Sequence, residues 1–173
     1  LLRQDNLNSD QNLYLQTIRK SSAHLLALIN DVLDFSKIDA GKLELDTATF
    51  DLEEAIFDVM DMLSPLAAQK HIDMAFYYAD NVPKHVVGDA LRFKQILTNL
   101  ISNAIKFTPD GEIIVRARME QDDIGQSLLH FSVQDSGIGL SGTDRKKLFE
   151  SFSQGDASVT RQIGGTGLGL AIS

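Results

Sequence analysis

Five polar side chains spaced along one stretch are the first candidates for chemistry. In Asp89-Ala-Leu-Arg-Phe-Lys-Gln-Ile-Leu-Thr-Asn-Leu-Ile-Ser-Asn-Ala-Ile-Lys-Phe-Thr108, a helical step of about 100° per residue gathers Arg92, Gln95, Asn99, Asn103 and Lys106 within an arc of roughly 80°. Phe93, Ile96, Leu97, Leu100, Ile101 and Ala104 fall together elsewhere on the helix as an apolar stripe suited to a core. Asparagine costs roughly half a kcal/mol against alanine inside a helix. Two of them one turn apart on one face therefore ask for a reason beyond solubility, although a solvated face is the plain alternative.

Two glycine clusters offer complementary chemistry. Asp135-Ser-Gly-Ile-Gly-Leu-Ser-Gly142 follows a predicted strand, so Asp135 stands at a strand end where a carboxylate can accept from an exocyclic amine. Gly137 and Gly139 would let backbone approach a flat ring; a simple turn is the other reading of Asp135. The cluster spells Gly-x-Gly-x-x-Gly, but it lies late in the chain, with no parallel strand after it and no acidic residue closing a second strand about 20 residues on. Those absences argue against a dinucleotide fold. The second cluster, Gly164-Gly-Thr-Gly-Leu-Gly-Leu170, opens a predicted helix, where backbone amides and the positive dipole end can face phosphate. It lacks the Gly-Lys-Ser/Thr ending of a Walker loop, and its leucines, with Ile172, speak against a flexible linker. Phe149 and Phe152 read either as walls of a pocket or as ordinary core.

The elements that must position these residues follow from periodicity. Asn8 with Gln11 makes a capping box opening a long helix to about Ile38, whose Leu15, Ile18, Ser22, Leu25, Ile29, Val32 and Ser36 repeat as a heptad seam. Ala40-Gly41-Lys42 ends it. Leu43 and Leu45 then suggest a short strand before a turn at Asp46-Thr47-Ala48. Residues 51–70 carry Leu52, Ala55, Ile56, Val59, Met60 and Leu63 at helical spacing, with Pro65 bending or interrupting that helix. Ile72–Tyr78 reads as a strand and Asp80–Pro83 as a turn leading into the polar-faced helix. Glu112–Glu120 and Ser127–Gln134 read as a hairpin joined through Asp122–Gly125. Residues 143–152 suggest a short helix, 153–163 a polar loop. The pattern predicts an α/β two-layer sandwich of a mixed sheet and helices, preceded by a long bundle helix.

Bulk properties narrow the function. The 173 residues, 43% hydrophobic, suffice for one domain plus an appendage. A net charge of −8 argues against non-specific nucleic-acid binding and gives no sign of a membrane-surface patch. With no cysteine there is no disulfide framework, which suits a reducing compartment. No apolar run approaches the ~20 residues of a membrane span.

In order along the chain, Asn99…Asn103…Lys106, Asp135-Ser-Gly-Ile-Gly139, Leu148-Phe-Glu-Ser-Phe152 and Gly165-Thr-Gly-Leu-Gly169 resemble the asparagine, first glycine, phenylalanine and second glycine boxes of sensor histidine kinases. Leu25–Lys42 is similar to the second dimerisation helix of the hybrid type. The resemblance spans essentially the whole chain and implies the fold shared with gyrase and MutL. It divides the chain into a remnant of a dimerisation and histidine-phosphotransfer hairpin over 1–42 and a catalytic ATP-binding domain over 43–173, expected to be incomplete at its C-terminal end.

By that resemblance the cofactors are ATP and Mg²⁺. Asn103 is the metal ligand with Asn99 beside it, Lys106 neutralises phosphate, Phe107 lies against adenine and Asp135 accepts from its amino group. Gly137 and Gly139 shape the base pocket, Phe149 and Phe152 flank it, and Gly165, Thr166, Gly167, Leu168 and Gly169 form the lid over the triphosphate. Hydrolysing relatives carry a glutamate where this chain has Asn99; an amide is no base for water, so the γ-phosphoryl is kept for another acceptor. The implied partners are a second copy of the chain and a response-regulator receiver domain, in the cytoplasmic part of a membrane-anchored sensor. The family's acceptor histidine is followed by an acidic residue and a proline. His24, His71, His85 and His130 lack that context, and His24 reads as a packing or surface residue. A dimerising scaffold that transfers no phosphate is the rival from another class.

Overall fold

The computed structural model describes residues 8–121 and 124–139. Contacts divide the chain into two units that meet between Leu43 and Glu44. Among the described residues the first holds one helix, α1 (Ser9–Asp39). Asn8 Oδ1 accepts from the Gln11 amide at 2.9 Å, and the Gln11 side chain accepts from the Asn8 amide at 3.0 Å, completing the capping box. Gly41, at φ 62°, closes the other end: its N–H reaches Ile38 O at 2.9 Å and that of Lys42 reaches Lys37 O at 2.8 Å, the paired bonds of a Schellman motif. Ile18, Leu25, Ile29 and Val32 of the seam are exposed. No described helix is long and apolar enough to cross a membrane.

The second unit layers two helices on a sheet. In order come β1 (Ala48–Asp51), α2 (Leu52–Ala68), β2 (Ile72–Tyr78), β3 (His85–Gly88), α3 (Ala90–Phe107), β4 (Gly111–Gln121) and β5 (Ser127–Asp135). Strand β4 is central, parallel to β2 and antiparallel to β5. Alternation turns Ile113, Val115 and Ala117, all buried, toward the helices. They meet Leu52, Ile56, Val59 and Leu63 of α2 and Leu97, Ile101, Ala104 and Ile105 of α3 in one core. Burying a side chain such as Ile101, fully enclosed, contributes about 1.5–3 kcal/mol. The expected two-layer α/β sandwich with a mixed sheet is the fold observed.

Four details differ from the sequence expectation. Leu43 and Leu45 form no strand; β1 starts at Ala48, where a turn was expected, and pairs antiparallel with the unanticipated β3. This register makes each short strand lead into an aspartate that caps the following helix. Asp51 accepts from the Glu54 amide and Asp89 from the Arg92 amide, both at 3.0 Å. Pro65 does not interrupt α2, which runs on to Ala68. Proline lacks the N–H that would bond Asp61 O, and the Ser64 hydroxyl donates to that carbonyl instead, at 2.9 Å. On α3 the buried arc centres on Leu97, Ile101, Ala104 and Ile105, leaving Phe93, Ile96 and Leu100 half-buried.

The two caps carry a pH signature. Asp51 and Asp89 are held below the ordinary aspartate value of 3.8, chiefly by the amides of Glu54 and Arg92 respectively. A carboxyl with a depressed pKa stabilises the fold above its unfolded value and loses that contribution as pH falls through the folded one. The melting temperature is therefore expected to fall on acidification below about pH 4. The Asp51→Asn, Asp89→Asn double variant keeps capping oxygens that cannot titrate. It should lose less between about pH 5 and about pH 2.5 in calorimetric scans.

Candidate functional site

The polar face of α3 is not a freely solvated one: Arg92, Gln95, Asn99, Asn103 and Lys106 are all half-buried. Arg92 Nη1 donates to Gln95 Oε1 at 2.8 Å. Asn99 and Asn103 stand one turn apart, and Lys106 follows Asn103 by roughly 5 Å of helix rise. Partial burial pushes the Lys106 ammonium below the ordinary lysine value of 10.5, since removing water disfavours the charged form. Its Nζ lies 4.9 Å from the centre of the Phe107 ring, an arrangement that returns part of the lost solvation.

Asp135 ends β5 opposite Ile113. Its side chain is exposed, and Oδ1 accepts from the Gly137 amide at 2.9 Å, tying the exit loop into an Asx turn. The loop is pinned twice more. Ser136 N donates to Glu112 O at 3.1 Å while its hydroxyl accepts from Glu112 N at 2.9 Å. The Ile138 amide donates to Phe107 O at 3.3 Å. That last bond brings the first glycine cluster against the end of α3, so Asp135, Gly137, Lys106 and Phe107 belong to one neighbourhood. Phe93 and Phe131, with centroids 5.0 Å apart, pack the same two elements together further back.

The glycines of the loop serve different ends. A Cβ on Gly137 would lie 2.5 Å from Phe107 O, 2.8 Å from Asp135 Oδ1 and 2.9 Å from Thr108 Oγ1, so the residue is a matter of space. Gly139 has no neighbour within 4 Å of an added Cβ among the described residues but takes φ 68°, so there the requirement is conformational.

The arrangement joins a carboxylate and small residues to two amides and a cation, a set suited to a flat base and an anionic tail. Residues 88–173 match the family model described as the histidine kinase-, DNA gyrase B- and HSP90-like ATPase, and residues 1–41 match the His Kinase A (phospho-acceptor) domain. The catalytic domain of the histidine kinase ThkA is 31% identical, with a TM-score of 0.59, over 73% of this chain and 78% of that one. This chain belongs to the histidine kinases. Full-length ShkA, solved in complex with AMPPNP, superposes on this histidine kinase chain with a TM-score of 0.77 at 37% identity, over 96% of this chain and 33% of that one. ThkA has also been solved in complex with the response regulator protein TrrA, with a TM-score of 0.59 at 25% identity, covering 89% of this chain and 42% of that one. The sensor histidine kinase GacS of Pseudomonas protegens is 50% identical over the whole of this chain, which spans 19% of that protein's length.

Of the residues the sequence nominated in this histidine kinase, Phe149, Phe152, Gly165, Thr166, Gly167, Leu168 and Gly169 lie outside the described residues. Three contributors were not nominated. Ser136 splices the exit loop to β4. Thr108 is fully buried, and its Oγ1 has no hydrogen-bond partner among the described residues. Lys70 donates from Nζ to Ile105 O at 2.7 Å, Lys106 O at 2.9 Å and Thr108 O at 3.3 Å. The signal available for Lys70 was general: a helix end without glycine needs donors for its last carbonyls.

Because Gly137 is wedged against backbone, Gly137→Ala should destabilise the chain by about 1–3 kcal/mol in denaturant titrations. It should also expose the Ile138 amide to faster hydrogen exchange. Gly139→Ala, free of that clash, should leave Ile138 protection near wild type.

Proposed function

We propose that this chain is the ATP-binding catalytic part of a sensor histidine kinase, with its domain boundary near residues 42–43. It would bind Mg·ATP between α3 and the glycine-rich segments and deliver the γ-phosphoryl to a histidine for relay to a response-regulator receiver domain. The observation that carries the reading is the seam from Phe107 to Ile138, which joins the Lys106 end of α3 to the Asp135 loop.

Each described residue has a task that its surroundings favour. Among the described residues Asp135 is engaged through Oδ1, so that Oδ2 would accept from the adenine amino group, while Gly137 and Gly139 would shape the base pocket and Phe107 would offer a ring face. Lys106, partly desolvated, would gain from an anionic phosphate.

No group of three or more acidic or histidine side chains capable of holding a metal occurs among the described residues. The half-buried amides of Asn99 and Asn103 instead fit a hard cation whose other ligands are phosphate oxygens and water. Magnesium held there would supply positive charge to offset the charge developing on the transferred group. Asn103 would hold it through its side-chain oxygen with Asn99 adjacent. Neither amide can take a proton from water at neutral pH, which favours transfer over hydrolysis.

His24, followed by Leu25-Leu26-Ala27, is not assigned as the acceptor, so transfer requires an acceptor helix supplied in cis or trans. The apolar seam of α1, exposed at Ile18, Leu25, Ile29 and Val32, supports homodimerisation through bundle helices.

Calorimetric titration with Mg·ATP should show binding by the folded chain. Asn103→Ala should weaken it at least tenfold, the scale of a lost contact to a charged group of about 1.5–3 kcal/mol. With a supplied acceptor domain, the same variant should lose labelled phosphohistidine. Transfer at the wild-type rate would remove Asn103 from the metal site.

A further inference from the structure

Lys70 stands outside every motif of the proposed site, yet its ammonium sits on the end of the helix that carries it. A lysine has three donors and no acceptor, and here three carbonyls, of Ile105, Lys106 and Thr108, lie within 2.7–3.3 Å of Nζ. With the cation so engaged, it is a poor candidate for touching a ligand. We infer that Lys70 is a positioning residue for the nucleotide site: it fixes the last turn of α3, and through that turn the Asp135–Gly139 loop. The inference rests on the kinase reading above.

The chain delivers Lys70 to this place by a sharp corner. α2 ends at its C-cap Gln69, His71 takes φ 57°, and β2 begins at Ile72 in parallel register with Gly111. The corner between α2 and β2 therefore runs beside the corner between α3 and β4, and Lys70 spans the two.

What it holds is otherwise loosely ended. Thr108 is extended at φ −101° and ψ 115°, so α3 has no left-handed residue to fold its own amides back on the last carbonyls. Thr108 N reaches Ala104 O at 3.0 Å, and Phe107 O is taken by the Ile138 amide. The carbonyls between and after them are those that Lys70 takes. Withdrawing the ammonium would leave Ile105 O and Lys106 O without it, free the turn to fray, and shift the carbonyl on which the loop is docked. It would also uncover the negative end of the helix dipole beside a site meant for an anionic nucleotide.

The test compares Lys70→Met, which keeps the stem without donors, with Lys70→Arg, which keeps donors, and with Ile56→Val, a core change remote from this corner. Two readouts are taken on the chain: hydrogen exchange at the amides of Thr108 and Ile138, and calorimetric affinity for Mg·ATP. Lys70→Met should speed exchange at both amides about tenfold while the β4–β5 ladder stays protected, and should raise the Kd about tenfold. Lys70→Arg should recover most of both effects, and Ile56→Val should show neither at a matched loss in Tm. Wild-type exchange at Thr108 and Ile138 in Lys70→Met, or affinity losses that track Tm equally in Lys70→Met and Ile56→Val, would overturn the inference. If Lys70→Met does not fold, Lys70→Leu, which likewise carries no donor, is read by the same criteria. Should the wild-type chain fail to bind Mg·ATP, the kinase reading falls, while the exchange measurement still decides whether Lys70 holds the turn.

Discussion

Helix α3 ends on an extended threonine, so the carbonyls of its last turn must find donors from other parts of the chain. α1 shows the alternative: Gly41 in the left-handed region folds its own amides back and the helix closes on itself. α3 takes the ammonium of Lys70 and the amide of Ile138 instead. An unpaired buried carbonyl costs about 1–3 kcal/mol, which makes these long-range bonds structural requirements. Their consequence is geometric, because satisfying Phe107 O seats the loop after β5 against the helix end. Gly137 follows from that seat, since no side chain fits between Phe107 O, Asp135 and Thr108.

The rest of the second unit brings that helix end to that strand end. Ile113, Val115 and Ala117 of the central strand face both helices, so α3 is fixed on the sheet by its buried arc and cannot roll. Its N-terminus is fixed by Asp89, which receives the Arg92 amide and also, through Oδ2, the Asp46 amide at 3.2 Å. Rotation set by the core determines which face turns outward, and that face carries Asn99, Asn103 and Lys106. The chemistry of the site is thus a by-product of how Leu97, Ile101 and Ala104 are buried.

Much of this was legible in the sequence where the signal is local. The capping box at Asn8 and Gln11, the six apolar residues of α2, the strand at Ile72–Tyr78 and the β4–β5 hairpin all follow from periodicity and turn chemistry, and all are observed. What was missed depends on contacts distant in sequence. β3 has four residues, too few for alternation to register, and exists because β1 lies beside it. Leu43 and Leu45 alternate correctly but find no strand to pair with among the described residues. Lys70 carries no local signal, because its partners lie 35 to 38 positions away. For the candidate site, the sequence nominated Asp135 and Gly137 by type and place, whereas the steric reason for a glycine at 137, a backbone carbonyl from another element, was not legible.

The proposed division of labour accords with phosphoryl transfer, in which positioning and charge neutralisation outweigh proton chemistry. The central claim is that the end of α3 and the exit of β5 form one nucleotide-binding surface. Amide chemical-shift mapping during titration with Mg·ATP addresses it most directly. The account predicts the largest shifts at Asn103, Lys106, Phe107 and Asp135–Gly139, with the outer strand pair β1–β3 little changed. Shifts centred on another part of a demonstrably folded chain, or none at saturating Mg·ATP, would contradict it.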